Sequence, residues 1–246
     1  MSNNVQSAEV ILQTVHSNLN SIHERIQAAC ERSNRSSSDV HLVAVTKYAD
    51  WAWVQQLAKV HSEFGENRPQ QLMERQQQLT QIQWHLIGQL QRNKVKSVLP
   101  HCQLIHSIDS LRLFRKVCDV AQGLNIQPNI LLQINVSEEE SKSGFTVPEV
   151  RSLWNDLAKE HSKVNVRGLM TMAPASQDMQ QARTTFQGLR QLRDSIVNDT
   201  DQVPSTWNLD QLSMGMSGDF EVAIEEGATV VRIGSALFRG LKSTAR

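Results

Sequence analysis

The sequence predicts an α/β protein, a single (β/α)8 barrel of TIM type with an additional N-terminal helix. Three observations support this: short apolar runs alternate with stretches of helical spacing, polar residues follow the runs, and no G-x-G-x-x-G follows the first run. The eight candidate strands are His41–Thr46, Val60–Phe64, Ile82–Ile87, Leu104–Ile108, Ile130–Val136, Val164–Met170, Leu209–Leu212 and Thr229–Ile233. The missing glycine pattern disfavours a dinucleotide-binding sheet, and a count of eight favours a closed barrel.

The composition is that of an ordinary globular protein. The 246 residues include 25 basic and 25 acidic side chains, so no net charge draws the chain to nucleic acid or to an anionic membrane. Three cysteines without C-x-x-C spacing predict reduced thiols rather than disulfides or a zinc site. We find no signal peptide and no apolar stretch long enough to span a membrane. We expect a cytoplasmic monomer.

The first predicted element is a helix over residues 7–32. Its apolar residues recur every three or four positions and form one stripe, made of Leu12, Val15, Leu19, Ile22, Ile26 and Ala29. Packing against the main body is the favoured interpretation of this stripe, and a coiled coil is the alternative. The barrel is expected over residues 40–240, within a single domain of residues 1–246.

Polar side chains cluster where the predicted strands end. In a barrel of this class, the carboxyl ends of the strands form one mouth, and the active site lies there. The residues at these ends are Lys47, Glu66, Asn67, His85, Gly88, Ser107, Asp109, Asn135, Thr171, Met172, Ser213 to Ser217 and Arg232 to Ser235. A barrel shaped by stability alone would not need this clustering, which therefore predicts a functional site.

Two turns rich in glycine and serine follow the last two strands. Leu212–Asp219 and Val231–Ser235 each have the pattern of a strand end, a turn and the start of a helix. Such turns present backbone N–H groups and the positive end of a helix dipole, which favour a bound phosphate. These turns predict a phosphorylated ligand, with Ser217 as a helix cap or a phosphate ligand.

Lys47 ends the first strand, across the mouth from these turns. Partial burial is expected to lower the pKa of its amine, and a neutral amine attacks an aldehyde to form a Schiff base. Alone, a lysine at a strand end more often extends into solvent. Combined with the phosphate turns, it indicates a site for pyridoxal 5′-phosphate or a sugar phosphate.

Three further residues have two interpretations each. Arg232 could donate a hydrogen bond to a pyridine nitrogen and keep that nitrogen unprotonated, or it could pair with a carboxylate such as Glu226. His85 is either a core histidine or part of the pocket wall. Asn67 is either a helix cap or a contact to the ligand ring. The charged segment 137–145 is either a solvated loop or a lid.

Seven motifs occur in order between about residues 40 and 240. They are Ala44–Lys47, Phe64–Asn67, Trp84–Lys94, His106–Ser110, Gly168–Pro174, Leu212–Ser217 and Val231–Ser235. Together they resemble the YggS/PROSC family, the pyridoxal phosphate homeostasis proteins. The resemblance implies a barrel like the N-terminal domain of alanine racemase, which is fold type III among pyridoxal-phosphate proteins.

The resemblance also implies a cofactor site. The matching positions are Lys47, Asn67, His85, Met214, Ser217, Arg232, Gly234 and Ser235. Pyridoxal phosphate would form a Schiff base with the lysine, its phosphate would lie at the two turns, and the arginine would meet the pyridine nitrogen. The asparagine and the histidine would surround the ring, with the methionine as a wall. Arg68–Pro69 and Arg239 depart from the family pattern, which bears on the lid and on partner contacts.

Three functions are compatible with these residues. The favoured one is a carrier or regulator of pyridoxal phosphate in vitamin B6 and amino-acid homeostasis, without clear catalysis, which serves pyridoxal-phosphate-dependent apo-enzymes. A racemase needs an acid or base on each face of the substrate Cα. We expect no second domain after Arg246 to supply one, and Tyr48 is predicted to point away from Lys47. The third function, a Schiff-base aldolase acting on sugar phosphates, has no evident use for Arg232.

Overall fold

The computed structural model describes residues 6–139, 142–174, 178–199 and 203–243. Within them, eight parallel strands close into a barrel in sequence order, as predicted. The strands are β1 His41–Val45, β2 Glu63–Glu66, β3 Gln83–Leu86, β4 Leu104–Ile108, β5 Asn129–Gln133, β6 Asn165–Met170, β7 Gln211–Ser213 and β8 Val230–Ile233. The second strand starts later than predicted, because Val60 belongs to the turn that ends the preceding helix and its N–H bonds to Leu57 O.

Helices connect successive strands on the outside of the barrel. The α-helices are α1 Ala8–Arg32, α2 Trp51–Leu57, α3 Pro69–Gln78, α4 Val95–Val98, α5 Leu111–Leu124, α6 Val147–Ala158, α7 Met179–Asn198 and α8 Phe220–Glu225. Short 3-10 helices occur at Ser37–Asp39, Arg92–Lys94 and Leu99–His101. None of the helices in the described part of the chain is long and apolar enough to cross a membrane.

Helix α1 completes the ring of helices around the barrel. The side chain of Ser7 caps the first turn of the helix by accepting a hydrogen bond from Val10 N–H. The apolar stripe of the helix is buried, and it starts at Ile11 rather than at Leu12. The helix packs between α2 and α8. Residues 235–243, which follow β8, form no helix. Helix α1 therefore covers the strand pair β8–β1, the position that a helix after β8 would otherwise take.

The two faces of the barrel strands have different chemistry. The outer face packs against the helices through large buried side chains such as Phe64 and Trp84. Inside, Leu104, Leu131 and Met170 form a separate small apolar cluster. The interior also holds buried polar side chains, and these are His85, His106, Gln133, Ser213 and Arg232. Buried polar groups in a barrel core need hydrogen-bond partners, so their arrangement is informative about the site.

Candidate functional site

A cavity of about 840 Å³ opens at the carboxyl ends of the strands. Its lining includes residues from the first three positions after β1, β2, β3, β4, β6, β7 and β8. Six residues predicted from the sequence line it together, and these are Lys47, Asn67, Ser217, Arg232, Gly234 and Ser235. The cavity therefore contains both Lys47 and the two glycine-containing turns. Strand β1 pairs with β8, with Val43 opposite Arg232, so Lys47 lies next to the turn after β8 and not across the mouth from it as predicted.

Lys47 lies in a turn that a buried ion pair holds in place. The guanidinium of Arg75 donates to Thr46 O at 2.8 Å and to Ala49 O at 3.1 Å, the two carbonyls that flank the turn. Arg75 also pairs with Glu66, whose carboxylate accepts a hydrogen bond from Thr46 Oγ1. Burial raises the pKa of the Glu66 carboxyl, and the Arg75 charge opposes that effect. The backbone on both sides of Lys47 is thus fixed.

Tyr48 contradicts the expectation that it points away from Lys47. The Lys47 Nζ atom lies 5.2 Å from the centroid of the Tyr48 ring, and the ring is 83% exposed at the mouth. The expectation assumed strand alternation through residue 48. Strand β1 ends at Val45, however, and Ala49 N–H bonds to Thr46 O in a turn, so alternation no longer applies.

The turn after β7 has a backbone geometry that requires glycine. Gly215 has a φ of +92°, and a Cβ there would lie 2.6 Å from Ala223 Cβ, so the turn requires glycine. Ser217 Oγ accepts a hydrogen bond from Gly234 N–H at 3.3 Å, which joins this turn to the one after β8. Asp219 directly precedes α8 and accepts a hydrogen bond from Met216 N–H at 2.6 Å.

The turn after β8 differs from its predicted form. No helix follows Gly234 and Ser235 within residues 235–243; the chain instead makes successive turns. Asn18 of α1 donates to Leu237 O at 3.0 Å and to Arg239 O at 2.9 Å, which anchors this segment to the N-terminal helix. The dipole of a helix therefore supports the first turn only.

Arg232 is buried beneath the cavity, with neutral partners. It donates to Ser213 Oγ at 2.6 Å and to Thr171 O at 2.9 Å. Burial lowers the pKa of its guanidinium to about 10, and the Asp219 charge partly opposes this effect. The proposed ion pair with Glu226 is wrong: that carboxylate bonds to Arg183 at 2.6 Å on the outer side of the barrel. The positive charge of Arg232 therefore has no carboxylate in direct contact among the described residues.

Two predicted site residues do not line the cavity. His85 is 4% exposed, and its Nδ1 atom lies 2.9 Å from His106 Nε2 in the barrel interior. Met214 is fully buried, and it packs in the apolar layer between the strands and the helices. Each stands one layer behind the surface that a ligand would contact.

The residues of the cavity fit a phosphorylated pyridine aldehyde. An amine, two serine hydroxyls, a glycine turn at a helix start and a guanidinium line one space of adequate volume. Anions favour the turns, an aldehyde suits the amine, and a ring nitrogen suits a hydrogen-bond donor. The described residues include no cluster of three or more His, Cys, Asp or Glu side chains that could hold a metal ion.

Comparison with known proteins gives a consistent result. The family model described as alanine racemase, N-terminal domain, matches residues 17–242. A pyridoxal phosphate homeostasis protein from Aquifex aeolicus is 38% identical over 223 residues, which cover 89% of this chain and 95% of the relative. This chain belongs to the pyridoxal phosphate homeostasis protein family. A member from Escherichia coli K12 is 35% identical over 90% of this chain and 94% of its own length.

Solved structures of the family agree with the barrel described above. PipY from Synechococcus elongatus, with pyridoxal phosphate bound, superposes with a TM-score of 0.74 at 33% identity, over 88% of this chain and 99% of PipY. Alanine racemase from Clostridium difficile superposes with a TM-score of 0.72 at 14% identity, which shows a shared fold alone. The superposed region covers 94% of this chain and 58% of the racemase.

Sequence reasoning missed several residues of this family member's site. Arg75 lies within helix α3, where a charged residue predicts only a solvated surface, and its contact with Thr46 depends on tertiary packing. Gln133 and Lys142 line the same cavity as Lys47. Lys142 belongs to the charged segment considered as a lid, of which residues 140–141 lie outside the described part. Arg68 and Arg239, the departures from the family pattern, are exposed and do not line the cavity.

Proposed function

We propose that this chain binds pyridoxal 5′-phosphate as a Schiff base on Lys47 and acts in pyridoxal phosphate and amino-acid homeostasis as a carrier without clear catalysis. The observation that supports this most is that an amine, a turn suited to an anion and a buried guanidinium all line one cavity. The names of the relatives and the pyridoxal phosphate bound to PipY support the same cofactor.

The proposed contacts divide the cofactor among three parts of the lining. The amine of Lys47 condenses with the aldehyde carbon, and one water molecule leaves. Ser217, Gly234 and Ser235 hold the phosphate, for which the hydroxyls and backbone N–H groups of the linked turns are suited. Arg232 donates a hydrogen bond to the pyridine nitrogen, which therefore stays unprotonated.

The remaining predicted residues act around this core. Asn67 lines the cavity beside the ring position, directly after β2. Met214 supports the β7 turn from the apolar layer. His85 contacts His106 in the interior of the barrel and does not contact the ligand directly. We further propose a monomeric, single-domain carrier of the cytoplasm that transfers its cofactor to pyridoxal-phosphate-dependent apo-enzymes and needs neither nucleic acid nor a membrane.

Absorption spectroscopy of the purified protein tests cofactor binding. With added pyridoxal phosphate, the wild type is expected to gain a visible absorption band, and borohydride is expected to trap the cofactor on the Lys47 peptide. Lys47→Ala is expected to lose both signals. Lys142→Ala is the matched control, because it removes the other lysine that lines the cavity and is expected to keep both. A wild type without a band, or trapping on another lysine, would contradict the proposal.

A second measurement separates a carrier from a racemase. The loaded protein is incubated with L-alanine and other L-amino acids, and D-isomers are followed by chiral chromatography. We expect no sustained turnover. Continuous formation of a D-amino acid that Lys47→Ala abolishes would replace the carrier with an enzyme, while leaving the cofactor site intact.

A further inference from the structure

A continuous chain of polar side chains runs through the barrel beneath Arg232. Arg232 donates to Ser213 Oγ at 2.6 Å, Ser213 Oγ lies 2.8 Å from His106 Nδ1, and His106 Nε2 lies 2.9 Å from His85 Nδ1. All four residues are at most 4% exposed. His106 is on β4 and Ser213 is on β7, so their bond crosses the interior between strands that are not neighbours.

The donors in this chain can be assigned from chemistry. A guanidinium only donates, so Ser213 Oγ accepts from Arg232. The Ser213 hydroxyl hydrogen then points to His106 Nδ1, which leaves the proton of His106 on Nε2, directed at His85 Nδ1. The opposite direction would leave the Ser213 hydroxyl without an acceptor among the described residues. Every bond therefore points away from the cavity.

The far end of the chain is consistent with this direction. With its Nδ1 atom accepting, His85 carries its proton on Nε2. That nitrogen is buried without a hydrogen-bond partner among the described residues, and it lies 3.8 Å from Glu63 Oε2. Glu63 also lies 3.1 Å from His41 Nδ1, at the amino end of the barrel. An N–H facing this carboxylate is favourable, whereas the other tautomer would place a lone pair against it.

Both histidines stay neutral in this arrangement. Burial lowers the pKa of His85 to about 3. Burial also lowers the pKa of His106 well below its ordinary value, and the charge of Arg232 adds to this effect. The chain therefore orients Arg232 without placing a counter-charge beside it.

We infer that Ser213, His106 and His85 form a relay that positions the guanidinium of Arg232 toward the cofactor ring. The inference rests on the proposed function, in which Arg232 meets the pyridine nitrogen. A carboxylate partner would hold the guanidinium equally firmly, but it would also offset its charge. Neutral acceptors fix the direction of the N–H groups and leave the charge available to the ligand. The three residues act through Arg232, so they are positioning residues.

The direction of the relay can be tested without any cofactor. Imidazole nitrogen NMR of the ligand-free protein reports which nitrogen of each histidine carries the proton. We expect His85 and His106 to be protonated on Nε2 only, with resonances assigned by their loss in His85→Gln and His106→Gln. A proton on His106 Nδ1 would contradict the relay, because Ser213 could not then donate to it.

The effect on the cofactor is tested in the loaded protein. Ser213→Ala removes the link to Arg232 and is expected to move the absorption maximum in the same direction as Arg232→Gln. Ser213→Thr keeps the hydroxyl and is expected to restore the wild-type maximum. Thr185→Ala is the matched control, because Thr185 is a buried residue whose hydroxyl donates to Gln181 O of its own helix.

The outcomes distinguish this inference from the proposed function. An unchanged maximum in a folded, loaded Ser213→Ala protein would overturn the relay and leave the cofactor site standing. A wild type that gains no absorption band would overturn the proposed function and, with it, the role of the relay toward the ring. A shift that Thr185→Ala reproduces would also count against the relay, since it would reflect loss of any buried hydroxyl.

Discussion

Two buried arginines, Arg75 and Arg232, are held in different ways. Arg75, 7% exposed, pairs with the fully buried Glu66 and with the carbonyls around Lys47. The guanidinium of Arg232, 4% exposed as a residue, donates to a serine hydroxyl and a backbone carbonyl within the described part of the chain. Both guanidiniums are desolvated to a similar extent. Only Arg75 has a carboxylate in contact that offsets its charge.

The difference separates a structural arginine from one suited to a ligand. A buried charge with its counter-charge in contact stabilises a local conformation, here the turn that carries Lys47. A buried charge with neutral partners has a desolvation cost that the fold alone does not offset, which is typical of functional sites. The turn that carries Lys47 is thus built for rigidity, and the surroundings of Arg232 are suited to recognition.

The largest effect is expected from Arg75→Met. The substitution leaves Glu66 buried without its counter-charge, and breaking such a pair costs about 3–5 kcal/mol of unfolding free energy. Urea denaturation followed by circular dichroism measures this loss. Glu66→Gln combined with Arg75→Met removes the orphaned charge and is expected to recover part of it. A single variant as stable as the wild type would show that the pair does not hold the turn.

Acidification is expected to lower the free energy of unfolding through the two histidines beneath Arg232. His85 and His106 have depressed pKa values when folded, so the unfolded chain binds protons that the native protein excludes. Stability is therefore fully present above the ordinary histidine pKa of 6.5 and falls as the pH decreases toward about 3. From pH 7.5 to pH 5 His85 accounts for about 2 kcal/mol, and His106 acts in the same direction.

Denaturation at both pH values of the wild type and His85→Gln isolates this contribution. The variant is expected to lose less stability on acidification. Glu66 acts in the opposite direction, because burial raises its pKa and favours its protonated form in the native state. His61 acts in the same direction as His85, because burial lowers its pKa. Both remain in the variant, so they cancel in the comparison. Equal losses in the two proteins would contradict a neutral His85.

Arg232→Met is expected to change stability far less than Arg75→Met. The substitution loses two hydrogen bonds but removes a desolvated charge, so we expect a change below about 1 kcal/mol. The same variant is expected to alter the absorption band of the bound cofactor, because the ring nitrogen loses its donor. Thermal denaturation and absorption spectra check both parts. A large loss of stability with an unaltered band would make Arg232 a structural residue like Arg75.

The smallest effect is expected from Arg25→Ala. Arg25 forms two hydrogen bonds with Glu221, at 3.1 and 3.0 Å, but about a third or more of each side chain is exposed. Exposed pairs contribute about 0–1 kcal/mol, even though this one joins α1 to α8. A loss equal to that of Arg75→Met would show that charge pairing outweighs burial in this protein. Denaturation at low and high salt measures the loss and its screening.

The sequence by itself determined the order of strands and helices and the residues at the mouth. Apolar runs and helical spacing are local patterns, and parallel strands place their carboxyl ends at one mouth whatever the packing. This is why Lys47, Ser217, Arg232 and Gly234 could be predicted to lie together. The strand boundaries shifted by a few residues, as at β2, because hydrogen bonds in adjoining turns set them.

Only the tertiary structure decided which interior side chains meet. Closing eight strands at a fixed tilt and stagger sets which inward residues face each other across the barrel, and no local pattern encodes that pairing. His85 therefore meets His106 rather than the cavity, and Arg232 meets Ser213 rather than Glu226. Packing also placed Arg75 against the Lys47 turn and α1 over the β8–β1 pair. Each of these contacts joins residues distant in sequence, whose meeting depends on the closed barrel.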